Sequence, residues 1–200
     1  TTNAAQQDSN SDLVGDACTV ISATPMPGDI LINEVLLDPY GAGDANGDGV
    51  ESAGEDEFIE LINVSGGELD LKDCTVSDGY GVRHTMTLGA DPQAYLLEHN
   101  RGLVIFGGGN PVGTFGGSKV VTSSSGKLQL NNGGDSVILT CAELIIDMHI
   151  VTDEVANQSV VRQSDADSTA AFVPHGEINS SMPFSPGTCV DGIPFSVCLP

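Results

Sequence analysis

Short apolar runs separated by glycine-rich and polar turns recur along most of the chain. The first run, at 30–37, is apolar on both sides for part of its length, which is typical of a central β-strand. Later runs are short, rich in β-branched residues and bounded by turn residues, which also favours strands. The predicted strands are 30–37, 57–64, 69–71, 74–77, 83–88, 102–106, 127–130, 137–140, 144–148, 159–162 and 171–173.

No segment has the apolar spacing of an amphipathic helix. Many short strands with turn signals between them, including a tight turn at 131–135, indicate an all-β, antiparallel β-sandwich. We predict an N-terminal extension over 1–27, the sandwich over 28–173, and a Pro- and Cys-containing C-terminal extension over 174–200.

The charge of the chain restricts its partners. Asp and Glu number 28 against 6 Lys and Arg, which gives a formal net charge of -22. A field this negative repels phosphate backbones and anionic lipids, so we expect no nucleic-acid partner, and it favours divalent cations. The sequence contains no run of about 20 apolar residues, the length that a membrane-spanning helix needs.

One acidic segment matches a known metal-binding pattern. Residues 44–55 fit D-x-[DN]-x-[DN]-G-x5-E, the twelve-residue calcium loop, with Gly49 at the position where the backbone must turn sharply. Calcium prefers about six to eight oxygen ligands, which side chains and one carbonyl at this spacing supply. The predicted calcium ligands are Asp44, Asn46, Asp48, the carbonyl of Val50, Ser52 and Glu55.

The surroundings of this loop favour a structural ion. Six acidic side chains lie between residues 44 and 57 with no Lys or Arg among them. Neighbouring carboxylates repel by roughly a few kcal/mol per pair at an effective dielectric constant near 20, so an ordered loop needs a cation. Pro39 and Gly41 before the loop break a helix, and 58–64 after it is typical of a strand. We therefore predict a calcium loop inserted between the first two strands, without the helix pair of a calcium sensor.

The cysteines favour an oxidising compartment. None of Cys18, Cys74, Cys141, Cys189 and Cys198 forms a C-x-x-C pair, so a zinc site is unsupported, and an extracellular setting permits disulfides and supplies calcium. A first residue other than Met is what a processed protein would have. Among the fifteen ways to form two bonds, our hypothesis joins Cys18 to Cys189 or Cys198, and Cys74 to Cys141 across the sandwich.

Five blocks of sequence, in order, resemble the lamin tail domain in its bacterial secreted form. The blocks are GDILINEV at 28–35, DEFIELIN at 56–63, LKDCTVSD at 71–78, LVIFG at 103–107 and LQLNNGGDSV at 128–137. The resemblance covers roughly residues 28–165 and implies an immunoglobulin-like β-sandwich without catalytic residues. It also implies a secreted or cell-surface bacterial protein. Cys74 stands where the family usually carries Trp, so a neighbour or a disulfide must compensate for the smaller side chain.

Motifs of catalysis are absent from the sequence. It contains no G-x-S-x-G, no H-E-x-x-H and no phosphate-binding glycine loop with Lys, and its four histidines are scattered. We therefore predict a non-catalytic, calcium-stabilised, secreted structural or adhesive module, and within that class a self-assembling surface or filament subunit. Its partners would be further copies or another extracellular protein. The alternative is a monomeric module that recognises a carbohydrate or protein through its loops, although 4% aromatic residues and no Trp argue against sugar stacking.

Overall fold

The computed structural model describes residues 22–87, 93, 95–152 and 155–200. Within these ranges the strands are β1 (Ile30–Leu36), β2 (Phe58–Asn63), β3 (Leu69–Asp70), β4 (Thr75–Ser77), β5 (Val82–Thr85), β6 (Leu96–Leu97), β7 (Gly102–Phe106), β8 (Lys119–Thr122), β9 (Ser136–Cys141), β10 (Leu144–Ile150), β11 (Val160–Arg162) and β12 (Phe172–Pro174). Two four-residue helices follow, α1 (His175–Ile178) and α2 (Phe195–Cys198).

The strands form a sandwich of two main sheets. One sheet has six strands in the order β12-β11-β1-β2-β7-β8, and the other has four in the order β10-β9-β4-β5. Neighbouring strands are antiparallel except β7 and β8, which are parallel. The small β3–β6 pair is extended by the backbone of Ala23, which pairs with Leu69. The prediction of an all-β, immunoglobulin-like sandwich is confirmed.

The six-stranded sheet is buried on both faces at its centre. Ile59 and Leu61 of β2 point into the main core between the sheets. Phe58 and Ile62, one position out of phase, point to the opposite face, where residues of the C-terminal region cover them. Every residue of β1 and β2 is therefore buried, which explains why apolar residues occupy both faces for part of each strand.

Two disulfides join the cysteines of the described residues. Cys74 bonds to Cys141, as predicted, with their Cα atoms 4.3 Å apart. Because β4 and β9 are neighbours in the four-stranded sheet, this bond lies within that sheet, and the expectation that it crosses the sandwich is wrong. Cys189 bonds to Cys198, so the predicted link from either of them to Cys18 is also wrong. Cys18 itself lies outside the described residues.

The predicted strand at 127–130 is wrong. Leu128 and Leu130 are buried, but Gln129 between them has a φ of 56°, which no continuous strand accommodates. The amides of Gln129 and Leu130 hydrogen-bond to the carboxylate of Glu57, so they are not free to form a strand ladder. The short strands β6 and β8 were not predicted from the sequence. The domain boundaries at 27 and 173 stay predictions.

The two disulfides should contribute unequally to stability. They join residues 67 and 9 positions apart, and a longer loop loses more chain entropy when it is closed. We expect Cys74→Ala with Cys141→Ala to lower the free energy of unfolding by roughly 4 kcal/mol, and Cys189→Ala with Cys198→Ala by roughly 2.5 kcal/mol. Denaturant unfolding followed by circular dichroism measures both. A larger loss for the 189–198 pair would contradict the expectation.

Candidate calcium site

The acidic loop lies between β1 and β2, so strands and not helices flank it. Its first half forms a series of turns held by its own side chains. Asp44 accepts hydrogen bonds from the amides of Asp48, at 3.2 Å, and Gly49, at 2.7 Å. Asn46 Oδ1 accepts from the same Asp48 amide at 3.0 Å. Oxygens from the first and third motif positions therefore converge on one amide, and Gly49 has the positive φ of 93° that the sharp turn requires.

The second half of the loop is arranged differently. Ser52 Oγ accepts a hydrogen bond from the amide of Glu55 at 3.3 Å, which closes a local turn. The side chain of Val50 is exposed, and its amide donates to Asp48 Oδ1. In the described part of the chain, no three His, Cys, Asp or Glu side chains are gathered closely enough to hold a metal ion. The structure thus brings together Asp44, Asn46 and Asp48, and it does not gather Glu55 with the two aspartates.

Asp56 holds the loop closed, although the motif does not include it. Its carboxylate is buried and accepts hydrogen bonds from the amides of Asn46, at 2.9 Å, and Ser52, at 2.7 Å. Burial raises the pKa of Asp56, and the nearby charge of Asp44 raises it further. The signal that would have identified this residue is its position two residues before a fully buried strand.

Glu57, the next residue, is buried as well. Its carboxylate accepts hydrogen bonds from the amides of Gln129 and Leu130, and burial raises its pKa to about 8. The Oε2 atom is buried and has no hydrogen-bond partner among the described residues. The acidic segment therefore combines solvated carboxylates at its tip with two buried ones at its base.

A second loop, after β7, packs against the acidic loop. The amide of Asn110 donates to Asp48 Oδ2 at 3.0 Å, and the amide of Val112 donates to the carbonyl of Asn46 at 2.8 Å. A Cβ atom at Gly109 would lie 2.5 Å from Asn46 Nδ2 and 2.6 Å from Asp48 Oδ2. The glycine at position 109 thus permits the close approach of the backbone to two predicted ligands.

The first half of the loop offers the ligand chemistry of a hard cation, although its side chains do not form a complete set of ligands. Asp44, Asn46 and Asp48 supply only oxygen donors, which is the ligand chemistry that calcium prefers. They lie beside a backbone cradle at Gly109 that any Cβ atom would fill. Ser52 Oγ accepts the Glu55 amide and keeps a second lone pair that could face an ion. The Glu55 carboxylate would have to move toward the two aspartates to complete the set.

The fold and this loop together define an immunoglobulin-like β-sandwich module with an acidic insertion between its first two strands. The family model for the lamin tail domain matches residues 23–165, and the chain belongs to that family of immunoglobulin-like structural domains. The resemblance to the lamin tail domain is therefore confirmed, and its bacterial secreted form stays a prediction. No curated protein matches this chain. The helices of the described residues are all too short to cross a membrane.

Replacing Gly109 by Ala should disturb the contact between the two loops. Gly109 has a φ of 73°, which costs a residue with a Cβ roughly 1–2 kcal/mol before the clash with Asn46 and Asp48 is added. We expect Gly109→Ala to lower the unfolding free energy by at least about that amount in a chemical denaturation experiment. Gly54→Ala in the same region is the matched control, because nothing lies within 4 Å of its Cβ position. Equal losses in both variants would be inconsistent with the packing described.

Proposed function

We propose that this chain is a non-catalytic, calcium-stabilised, secreted structural or adhesive module that assembles with further copies at a surface or in a filament. The observation that carries the proposal is the convergence of Asp44 and Asn46 oxygens on the amide of Asp48. This arrangement occurs within a loop that matches the calcium motif. Asp48 also accepts a hydrogen bond from Asn110, so an ion held here would fix two loops at once.

Electrostatics supports a divalent ion at this place. The chain carries a formal net charge of -22, and the predicted ligands that lie together include two carboxylates, Asp44 and Asp48. A divalent cation among them replaces repulsion, roughly a few kcal/mol per close pair, with attraction. The ion would then stabilise the folded state by binding only to it, which links stability to the free calcium concentration.

A secreted location is supported by the disulfides. Two bonds are formed among the described cysteines, and disulfides persist mainly in oxidising compartments. Calcium sites of extracellular modules work at the millimolar concentrations found there.

Self-assembly is supported by exposed apolar side chains on an edge strand of the four-stranded sheet. The edge strand β10 carries the exposed apolar residues Ile145, Met148 and Ile150. Long apolar edge strands are surfaces on which other chains can add strands.

Two of the surface clefts do not combine the groups that a reaction would need. A cleft of about 450 Å³ is lined by Pro111, Val120, Val121 and Thr122, none of which titrates. Another, of about 390 Å³, includes Arg101 in an exposed ion pair with Glu98, the ordinary state of such groups at a surface. Neither places a nucleophile beside a base, as a hydrolytic or transfer reaction would need.

The calcium proposal is tested by titration and thermal unfolding. We expect the purified chain to bind about one Ca²⁺ with a Kd on the order of 10⁻⁴ to 10⁻³ M, and its Tm to rise with calcium. Asp48→Asn should weaken binding at least tenfold because it removes a ligand charge. Asp70→Asn makes the same change at the end of β3, outside the loop, and should bind as the unaltered chain does. If neither calcium nor a chelator changes the Tm of the unaltered chain, the proposal is overturned.

The alternative of a monomeric binding module rests on two exposed aromatic side chains. Tyr40 lies before the acidic loop with 70% of its surface exposed, and Tyr80 lies in the β4–β5 turn with 81% exposed. Aromatic side chains on loops are common in recognition surfaces for proteins and carbohydrates.

Size in solution separates the two functions. Light scattering with negative-stain microscopy should show polymers that form in calcium and dissociate in chelator, because the ion orders the loops. A particle of one chain under both conditions would favour the binding module instead. Leu144→Lys and Ile145→Lys on β10 should abolish the polymers without lowering calcium affinity, since a charge at an edge strand blocks strand addition.

A further inference from the structure

Two glutamates face each other in the centre of the six-stranded sheet. Glu34 of β1 is the direct cross-strand partner of Glu60 of β2, and both side chains are completely buried. Glu60 accepts hydrogen bonds from the side-chain amide of Asn33 and from the backbone amide of Gly187. Glu34 was not singled out, because a bulge between Ile32 and Glu34 brings it onto the same face as Glu60.

The pair is enclosed by apolar residues. On one side of it Leu36 is paired with Phe58, and on the other Leu31 is paired with Ile62. All four side chains are buried. Neither glutamate forms an ion pair with any Lys, Arg or His that the structure describes. Like charges placed directly opposite in a sheet destabilise it, and an unpaired buried charge is more costly still.

Residues 183–199, here called the C-terminal strap, cover this face. Phe184 packs edge-on against Phe58 with ring centroids 6.4 Å apart. Phe195 packs against Leu31 and Ile62, and the Cys189–Cys198 disulfide closes the strap around it. The strap therefore supplies the apolar cover that the outer face of the sheet needs.

The strap also supplies most of the hydrogen bonds to the two carboxyl groups. Ser185 donates to Glu34 from its amide, at 2.9 Å, and from its hydroxyl, at 2.7 Å. The amide of Gly187 donates to Glu60 at 2.6 Å. The sheet side contributes only the hydroxyl of Ser159 to Glu34 and the amide group of Asn33 to Glu60.

We propose that the C-terminal strap is a proton-dependent latch. It closes over the sheet while the Glu34–Glu60 pair holds a proton, and it detaches when both groups are ionised. Detachment gives the two carboxylates access to water and exposes the apolar residues beside them. The latch does not involve the predicted calcium ligands.

The other titratable groups around the pair do not neutralise it. Asp165, from the loop after β11, accepts from Asn33 and from the amide of Val190 in the strap, with Asp191 beside it. His175 of α1 contacts the Ser185 hydroxyl at 3.0 Å, and burial lowers its pKa, so it is neutral near pH 7. Full ionisation therefore leaves several negative charges together without a facing cation.

The direction of the pH dependence follows from burial. Burial raises the pKa of Glu34 from 4.5 to about 7, and burial together with the charge of Glu34 raises the pKa of Glu60 well above its usual range. A carboxyl whose pKa is higher in the closed state stabilises that state fully below pH 4.5 and loses this stabilisation as the pH rises through about 7. The strap is thus held most tightly in mild acid.

Hydrogen exchange at the strap tests the latch directly. For each proton released on opening, the protection of the Ser185 and Gly187 amides, corrected for the intrinsic exchange rate, should fall about tenfold per pH unit between pH 5 and pH 7. Amides of the β4–β9 pair, far from the strap, should keep their protection over that range. The same fall is expected in excess calcium and in chelator. Constant protection of the two strap amides across this range would overturn the proposal.

A charge-removing variant identifies the groups responsible. Glu60→Gln leaves a single carboxyl at the centre of the cluster. The ratio of strap-amide protection at pH 8 to that at pH 5 should therefore be at least about tenfold higher in this variant than in the unaltered chain. Glu143→Gln, at the exposed β9–β10 turn, is the matched control and should leave the profile unchanged. An unaltered profile in Glu60→Gln would assign the proton elsewhere and overturn the proposal. If that variant does not fold, Glu34→Gln and the profile of the unaltered chain still decide the question.

Discussion

The burial of β1 and β2 on both faces is the constraint on which the rest of the structure depends. One face is covered by the four-stranded sheet, and the other must be covered by something outside the sandwich. Each fully buried Leu, Ile or Phe on that outer face contributes about 1.5–3 kcal/mol. The C-terminal strap provides this cover, and because Glu34 and Glu60 lie on the same face, it must also satisfy two carboxyl groups. One segment therefore both covers the apolar side chains and donates hydrogen bonds to the two carboxyl groups.

The acidic loop and the strap meet at the same end of this face. Ala45 of the loop belongs to a buried cluster with Phe58 and Phe106, and Phe184 of the strap packs against that cluster. The backbone of Gly43 also approaches the ring of Phe184, where its Cβ position is 4.0 Å from the ring. A displacement of the loop would thus alter the packing of the strap through Phe58. The carboxylates of the two regions nevertheless have separate hydrogen-bond partners.

The sequence predicted those parts of the fold that depend on local pattern. Strands with strong apolar runs, such as β1, β2 and β7, were found because burial on both faces leaves a signal within the strand itself. The prediction of a strand at 127–130 was wrong because the amides of Gln129 and Leu130 hydrogen-bond to Glu57, which is distant in the sequence. The Cys189–Cys198 bond was missed because it depends on the path of an irregular segment. Glu34 was missed because a bulge, which apolar periodicity does not reveal, decides which face it occupies.

The two acidic regions illustrate two ways in which one chain can tolerate a large negative charge. The loop keeps its carboxylates near solvent, where a divalent ion can balance them, and metal ligands must be deprotonated to bind. The Glu34–Glu60 pair is completely buried without an ion-pair partner among the described residues, and burial favours the protonated form of a carboxyl. Under the two proposals, acid stabilises the closed strap and weakens calcium binding by the loop. Neutral pH has the opposite effect on both. Because both regions pack on Phe58, the molecule would be held at one end of this face by an ion and at its centre by a proton, with opposite responses to pH.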